Sequence, residues 1–273
     1  MTFDRADPIA LQKRLARSSS KARKALGQHF LIDRSVIEAM MGIRPLKGER
    51  IVEIGPGPGI LTEALLQQKA ELTAFELDPL FIVWLKEDFP HLRVIEGSIL
   101  DQAALYLPVS PYRVVANIPY GITNPLLRLF LENTIPRPSS MTMLVQYEIA
   151  QRLAAGPGQT GRGFLSVLAQ NAATVTLVKR VPATSFWPPP KVQSAVIDLQ
   201  LHETPTADTE QYLRFVRRAF TTPRKQLKNV LAGIRGVSQE EIVAQFSQLG
   251  LPATVRSQEL SGKQWRQLYE GGV

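Results

Sequence analysis

The sequence predicts an α/β protein in which a doubly wound, mostly parallel sheet flanked by helices is followed by a small all-helical domain. Three observations predict it. Between residues 51 and 200, short apolar runs alternate with stretches of helical spacing. The first apolar run ends in a glycine-rich loop that opens a helical stretch. Beyond residue 201 no strand pattern of comparable strength follows.

Taken in order, candidate strands occupy residues 51–54, 72–75, 92–95, 112–116, 141–145, 175–181 and 192–201. Residues 60–66, 79–87, 125–131 and 148–154 carry helix-compatible spacing between them. Ligands of sheets wound in this way gather at the carboxyl ends of the strands. Residues 202–209 are polar, hold Pro205, and read as a linker. Past it, Leu213, Val216 and Phe220 share one helical face while Arg214, Arg217 and Arg218 point elsewhere, and segments around 242–249 and 265–268 also read as helices. The domains are therefore drawn as a basic N-terminal extension over residues 1–20, expected to be flexible, a ligand-binding domain over 21–203, and a small helical domain over 204–273.

The 273 residues carry 32 Lys and Arg against 24 Asp and Glu, and the resulting charge of +8 favours a polyanionic partner. Two acid-free runs concentrate it: Lys13, Arg14, Arg17, Lys21, Arg23 and Lys24, and then Arg214, Arg217, Arg218, Arg224, Lys225 and Lys228. Either run alone could be a solvated face; together they point to phosphates. With no cysteine there is no disulfide framework and no thiolate ligand, and His29, His91 and His202 are too scattered for a zinc cluster, so no metal is expected. No apolar stretch approaches the roughly 20 residues that cross a bilayer, and the N-terminus lacks the apolar core of a secretory signal. A cytoplasmic protein without a membrane partner is expected. The basic, serine-containing first twenty residues leave an organellar leader open, against which Asp4 and Asp7 weigh.

After the first strand comes Gly55-Pro56-Gly57-Pro58-Gly59, then a helix, the arrangement of a nucleotide-type cofactor site. Such a loop could also be a bare tight turn. About twenty residues on, Phe75-Glu76-Leu77-Asp78 closes the second strand and places Glu76 where its carboxylate could accept both hydroxyl protons of a ribose. The glycines are spaced by two throughout, and Pro56 and Pro58 have removed amide donors, which suits a phosphate-free adenosine ligand such as S-adenosylmethionine better than a dinucleotide. Either Ser98 or Asp101, after the third strand, could bond the adenine edge.

The fourth strand ends in Asn117-Ile118-Pro119-Tyr120. The exocyclic amine of adenine is a poor nucleophile because its lone pair is delocalised into the ring. The Asn117 side-chain oxygen and a backbone carbonyl near Ile118 could bond both amine hydrogens and favour a pyramidal nitrogen. Tyr120 would stack on the base beside a sulfonium. The same four residues would also serve as a turn with a packed tyrosine. Phe186 and Trp187 sit on a proline-stiffened loop before the last strand; a flipped base could be held between Phe186 and Tyr120, or the pair could be ordinary core. Lys191 reads as a phosphate contact or a solvated lysine.

These motifs, together with Lys24-Ala25-Leu26-Gly27-Gln28-His29-Phe30-Leu31, resemble the ribosomal RNA adenine dimethyltransferases of the small-subunit, kasugamycin-resistance type, over about residues 21–268. The resemblance implies a Rossmann-like class I S-adenosylmethionine-dependent methyltransferase with a helical C-terminal domain for RNA or ribosome binding, working as a monomer. Its implied reaction converts two neighbouring adenosines near the 3′ end of small-subunit rRNA to N6,N6-dimethyladenosine, using four molecules of S-adenosylmethionine on an assembling small subunit. It carries cofactor contacts onto His29, Leu31, Gly55, Gly57, Glu76, Ser98 and Asn117, and catalytic contacts with the substrate adenine onto Asn117, Tyr120 and Phe186. Three positions depart from the family pattern: His29 stands for a common asparagine, Pro58 interrupts the loop, and Ser98 replaces an aspartate. A macrolide-resistance dimethyltransferase of large-subunit rRNA is the nearest alternative, against which Arg224-Lys225-Gln226-Leu227 and Arg256-Ser257-Gln258-Glu259-Leu260 weigh. A DNA adenine methyltransferase and a non-catalytic assembly or transcription factor of this fold are the more distant ones.

Overall fold

In the computed structural model, which describes residues 3–17, 29–109, 111–132, 136–202 and 208–271, the apolar runs become strands and the amphipathic stretches become helices. In chain order these are α1 (Pro8–Arg17), β1 (Phe30–Leu31), α2 (Arg34–Met41), β2 (Arg50–Ile54), α3 (Ile60–Gln67), β3 (Glu71–Glu76), α4 (Pro79–Asp88), β4 (Arg93–Glu96), α5 (Ile99–Tyr106), β5 (Arg113–Asn117), α6 (Thr123–Glu132) and β6 (Ser140–Gln146). There follow α7 (Tyr147–Ala154), α8 (Phe164–Ala172), β7 (Ala173–Val181), β8 (Phe186–Trp187), β9 (Ser194–Leu201), α9 (Thr209–Ala219), α10 (Leu227–Arg235), α11 (Gln239–Gln248) and α12 (Gly262–Glu270). The chain forms two compact units, Met1–Ala150 with Thr176–Leu201, and Gln151–Val175 with His202–Val273.

Among the described residues of the first unit, seven strands build one sheet in the order β4-β3-β2-β5-β6-β9-β7. β4, β3, β2, β5 and β6 run parallel, and β9 returns antiparallel to β6 with Met143 opposite Ile197. The near-continuous apolar strands predict this burial: Val114, Val115 and Ala116 of β5 and Met143, Leu144 and Val145 of β6 are all within 2% of full burial. From β2 the chain winds outward through β3 and β4, then crosses back to β5 and β6. The crevice of the fold therefore opens where β2 and β5 lie side by side, at their carboxyl ends.

A second, two-stranded sheet pairs β1 with β8, Phe30 opposite Trp187 and Leu31 opposite Phe186. Strands this short carry no period to read, and both were absent from the sequence expectation. Asp33 fastens the pair from the side. Its carboxylate caps α2 by accepting from Ser35 N at 2.9 Å, and it accepts from the Ser185 hydroxyl at 2.7 Å, while Ile32 N donates to Ser185 O.

The second unit is helical apart from the first residues of β7; the break after Leu201 lies close to the expected boundary at residue 203, and what differs is the stretch 151–175, which the sequence reading left in the ligand-binding domain. Residues 151–175 belong with the C-terminal helices. The physical reason is Arg162, 6% exposed, whose guanidinium donates to Ala155 O, Gln170 Oε1 and Leu260 O. In α9, Tyr212, Leu213, Val216 and Ala219 are buried and Arg214, Arg217 and Arg218 exposed, as the helical spacing predicts. Serine boxes start α11 at Ser238 and α12 at Ser261.

The N-terminal expectation also needs correction. Residues 8–17 form α1, whose Leu11 and Leu15 are buried against Phe81 and Trp84, so this stretch is a packed element of the first unit. One turn of helical spacing between two leucines, within a basic segment, was the only sequence signal for it. The basic positions 21, 23 and 24 and most of the linker, 203–207, lie outside the described residues.

Because Asp33 serves both α2 and the Ser185 turn, Asp33→Ala is expected to lower the unfolding free energy by about 1–2 kcal/mol in urea titration. An unchanged midpoint would show that the β1–β8 pair needs no such fastening.

Candidate functional site

At the carboxyl ends of β2, β3 and β5 lies an open cleft, about 750 Å³ counted together with the solvent in its mouth. Its floor is the glycine loop. Gly55 has φ +65°, and a Cβ there would stand 3.1 Å from the Pro119 ring, so the absence of a side chain is what lets the two motifs touch. Gly55 N donates to Phe75 O at 2.9 Å, which seats the loop against β3. Pro56 and Pro58 bring no N–H into the cleft, so the loop offers a phosphate little to bind.

Two buried carboxylates flank the loop. Glu76, 6% exposed, accepts from three amides: Gly57 at 2.9 Å, Leu77 at 2.8 Å and Asp78 at 2.8 Å. Burial raises its pKa, and these amides oppose the rise by favouring the anion. A carboxylate has about four acceptor positions. Oε1 receives two amides and Oε2 one, so Oε2 keeps the room for an incoming hydroxyl. Glu53, 1% exposed, accepts from the Thr62 hydroxyl at 2.7 Å. Burial pushes Glu53 up to about 8; the Thr62 bond lowers it and the neighbouring Glu76 charge raises it.

On the other side, β5 delivers Asn117, half-buried and lining the cleft with Ile118, Pro119 and Tyr120. Ile118 N donates to Leu144 O on β6 and Ile122 N to Pro119 O, which fixes the turn. The Tyr120 hydroxyl lies 2.6 Å from Ser194 Oγ, and burial raises its pKa, so the phenol stays protonated and its ring is held from both ends. His29 faces it with ring centroids 6.2 Å apart. His29 Nδ1 is 2.7 Å from Pro188 O; a carbonyl only accepts, so Nδ1 carries the proton.

The cleft thus brings together His29, Leu31, Gly55, Gly57, Glu76, Asn117 and Tyr120. It does not bring in Phe186 or Ser98. Phe186 is 2% exposed in the core and pairs with Leu31, and the Ser98 hydroxyl caps α5 by accepting from Leu100 N at 3.2 Å. Asp101 is exposed in the first turn of α5, and Trp187 packs beside Phe81 and Trp84. Of the first basic run, Arg14 is bound bidentately to Asp88 at 2.6 and 3.1 Å, so it belongs to the fold. Arg224, Lys225 and Lys191 are exposed. Sequence reading missed Glu53, Phe30 and Phe81 as cleft residues. For Glu53 a signal existed, a lone carboxylate in the otherwise apolar strand 51–54; the two phenylalanines were indistinguishable from core.

Residues 19–270 match the profile of the family described as ribosomal RNA adenine dimethylase. The chain is 40% identical over 262 residues to ribosomal RNA small subunit methyltransferase A of Thermosynechococcus vestitus, covering 92% of this chain and 96% of that protein. It is likewise 40% identical over 258 residues to the protein of that name from Deinococcus radiodurans, covering 93% and 86%. Among solved structures it is similar to a dimethyladenosine transferase from Plasmodium falciparum, with TM-score 0.73, 23% identity and coverage of 88% and 96%. The 23S rRNA methyltransferase ErmE gives TM-score 0.71 at 26% identity, covering 89% and 98%.

Glu53 makes stability depend on pH. The unfolded chain releases its proton near 4.5 and the folded chain holds it to about 8, so folding takes up a proton in that window and stability falls as pH rises through it. Glu53→Gln removes this cost. Its Tm is expected to match the native chain below the window and to exceed it by about 4 °C or more above it. Parallel melting profiles across the window would rule the buried proton out.

Proposed function

The chain belongs to the ribosomal RNA adenine dimethylase family, and from that premise we propose that it dimethylates the N6 amines of two adjacent adenosines near the 3′ end of small-subunit rRNA. It acts while the subunit is being assembled. The observation that carries this reading is the joining of Glu76, the glycine loop and Asn117-Ile118-Pro119-Tyr120 around one cleft. Identity of 40% to small-subunit enzymes, against 26% to ErmE, favours the small-subunit substrate.

The residues present fit S-adenosylmethionine: Glu76 has acceptor room for a ribose hydroxyl, the prolines leave no phosphate cradle, and Phe30, Leu31 and Phe81 give an apolar wall. When bound it supplies an electrophilic methyl group. His29, Leu31, Gly55, Gly57 and Glu76 would hold it, and Ser98, outside the cleft lining, would have to turn the hydroxyl proton that capping leaves free toward its adenine edge.

Asn117 Oδ1 and the Ile118 carbonyl accept the two amine hydrogens of the target adenine, which turns the nitrogen lone pair out of conjugation. Tyr120 stacks on the base, its ring locked by Ser194. Phe186, paired with Leu31, backs the wall that faces the base, and direct stacking on it requires β8 to shift. No strong base is needed, because the methylated amine loses its proton readily to the carbonyl acceptors or water. Positioning does most of the work. The exposed Arg224 and Lys225, with Arg214, Arg217 and Arg218 on α9, supply phosphate contacts for the RNA.

The test is mass spectrometry of RNA digests after incubation with S-adenosylmethionine and undermethylated small subunits or, separately, large-subunit rRNA. Dimethyladenosine at two adjacent small-subunit positions is expected. Methylation confined to large-subunit RNA would move the chain to the resistance type. Asn117→Ala is expected to lower kcat by about 10²–10³-fold with little change in the KM for RNA; a kcat within threefold of the native value would remove Asn117 from the chemistry.

A further inference from the structure

The family profile begins at residue 19, yet the chain before it is built into the back of the cleft. Arg5 is the centre of this. Its side chain is 5% exposed, and its fork reaches three elements at once: Nε donates to Pro58 O of the glycine loop at 3.0 Å, Nη1 to Glu63 of α3 at 3.1 Å, and Nη2 to Asp88 of α4 at 2.6 Å. The guanidinium also lies 4.6 Å over the Phe89 ring. Gly59 is shaped to this packing. Its φ is +88°, and a Cβ would stand 3.0 Å from Phe89, 3.2 Å from Leu85 and 3.4 Å from Arg5 Nε.

The rest of the segment braces the side wall. Leu11 and Leu15 pack on Phe81, which lines the cleft and meets Phe30 edge-on at 5.4 Å. Arg14 lies 4.3 Å over Trp84 while its guanidinium holds the same Asp88 that Arg5 holds. Asp4 receives Arg34 at 2.7 Å, tying the segment to α2.

We propose that residues 3–17 form a strap that sets the shape of the glycine loop, with Arg5 as its positioning residue through the Pro58 carbonyl. The proposal rests on the reading of the cleft as the methyl-donor site. A guanidinium has a planar fork of donors that can serve three separated acceptors, whereas an ammonium concentrates its donors at one point. Lysine at position 5 would keep a charge for Asp88 and Glu63 and lose the bond to Pro58. The two duties of Arg5, holding helices together and holding the loop, are therefore separable by substitution.

The experiment compares the full-length native chain with Arg5→Ala and Arg5→Lys, measuring S-adenosylmethionine affinity by calorimetry, Tm by melting, and kcat and KM on small-subunit rRNA. Arg5→Lys is expected to regain most of the Tm lost in Arg5→Ala, while both bind S-adenosylmethionine about tenfold more weakly, as loss of one charge-assisted hydrogen bond implies. The KM for S-adenosylmethionine should rise in step, with kcat within about twofold. Should Arg5→Ala fail to fold, Arg5→Lys alone decides. Native affinity in Arg5→Lys would overturn the proposal, whether or not Tm recovers. A native chain that binds no S-adenosylmethionine would overturn the reading of the cleft and the strap with it, whereas native binding that survives in both variants would overturn the strap alone.

Discussion

The three amide bonds to the Glu76 carboxylate are the constraint on which the site depends. They join Gly57 of the loop to Leu77 and Asp78 at the end of β3, so the loop after β2 and the turn after β3 share one buried carboxylate. An unbonded carboxylate at 6% exposure would be driven to protonate. Paired as it is, Glu76 is an acceptor built into the backbone, and the cleft forms around it. Glu53, one strand away, has only the Thr62 hydroxyl for support, and burial pushes it up to about 8.

The second support is mechanical. Parallel pairing puts Asn117 opposite Leu144 and Glu76 opposite Glu96, so the Asn117 turn and the Glu76 carboxylate leave the sheet at the same edge. Gly55 then lets Pro119 come within what would be contact range of a side chain. The sheet sets the distance between the motifs and the missing Cβ closes it. Tyr120 is held by Ser194, the first residue of β9, so the antiparallel return strand also serves the site.

Much of this was legible in the sequence for a physical reason. Strands buried along their length, such as β5 and β6, read as apolar runs, and the seven expected runs became the seven strands of the large sheet, the more exposed β4 and β7 at its edges. The loop residues Gly55, Gly57 and Glu76 were legible through spacing, since a strand, turn and helix of fixed length separate them. What stayed hidden was local and short. β1 and β8 have two residues each, α1 and α2 offer two or three buried positions, and none of these reaches a readable period. Arg5 and Arg14 read as members of a basic tail because their acidic partners are 58 to 83 residues away. Phe186 illustrates the limit of motif reading: its place in the chain made it a candidate contact, and the fold buries it, paired with Leu31, outside the cleft lining.

The two prolines of the loop bear on a competition that any cell imposes. On the proposed reading of the cleft, Glu76 as a ribose acceptor would greet every adenosine alike, whether it ends in a sulfonium or in a chain of phosphates. What separates such molecules is the far end, and there this loop brings prolines, which have no N–H, at positions 56 and 58. A chain of phosphates would find no N–H at either proline of the loop. Selectivity in this cleft is thus written by omission, in two imino acids that decline to make a bond.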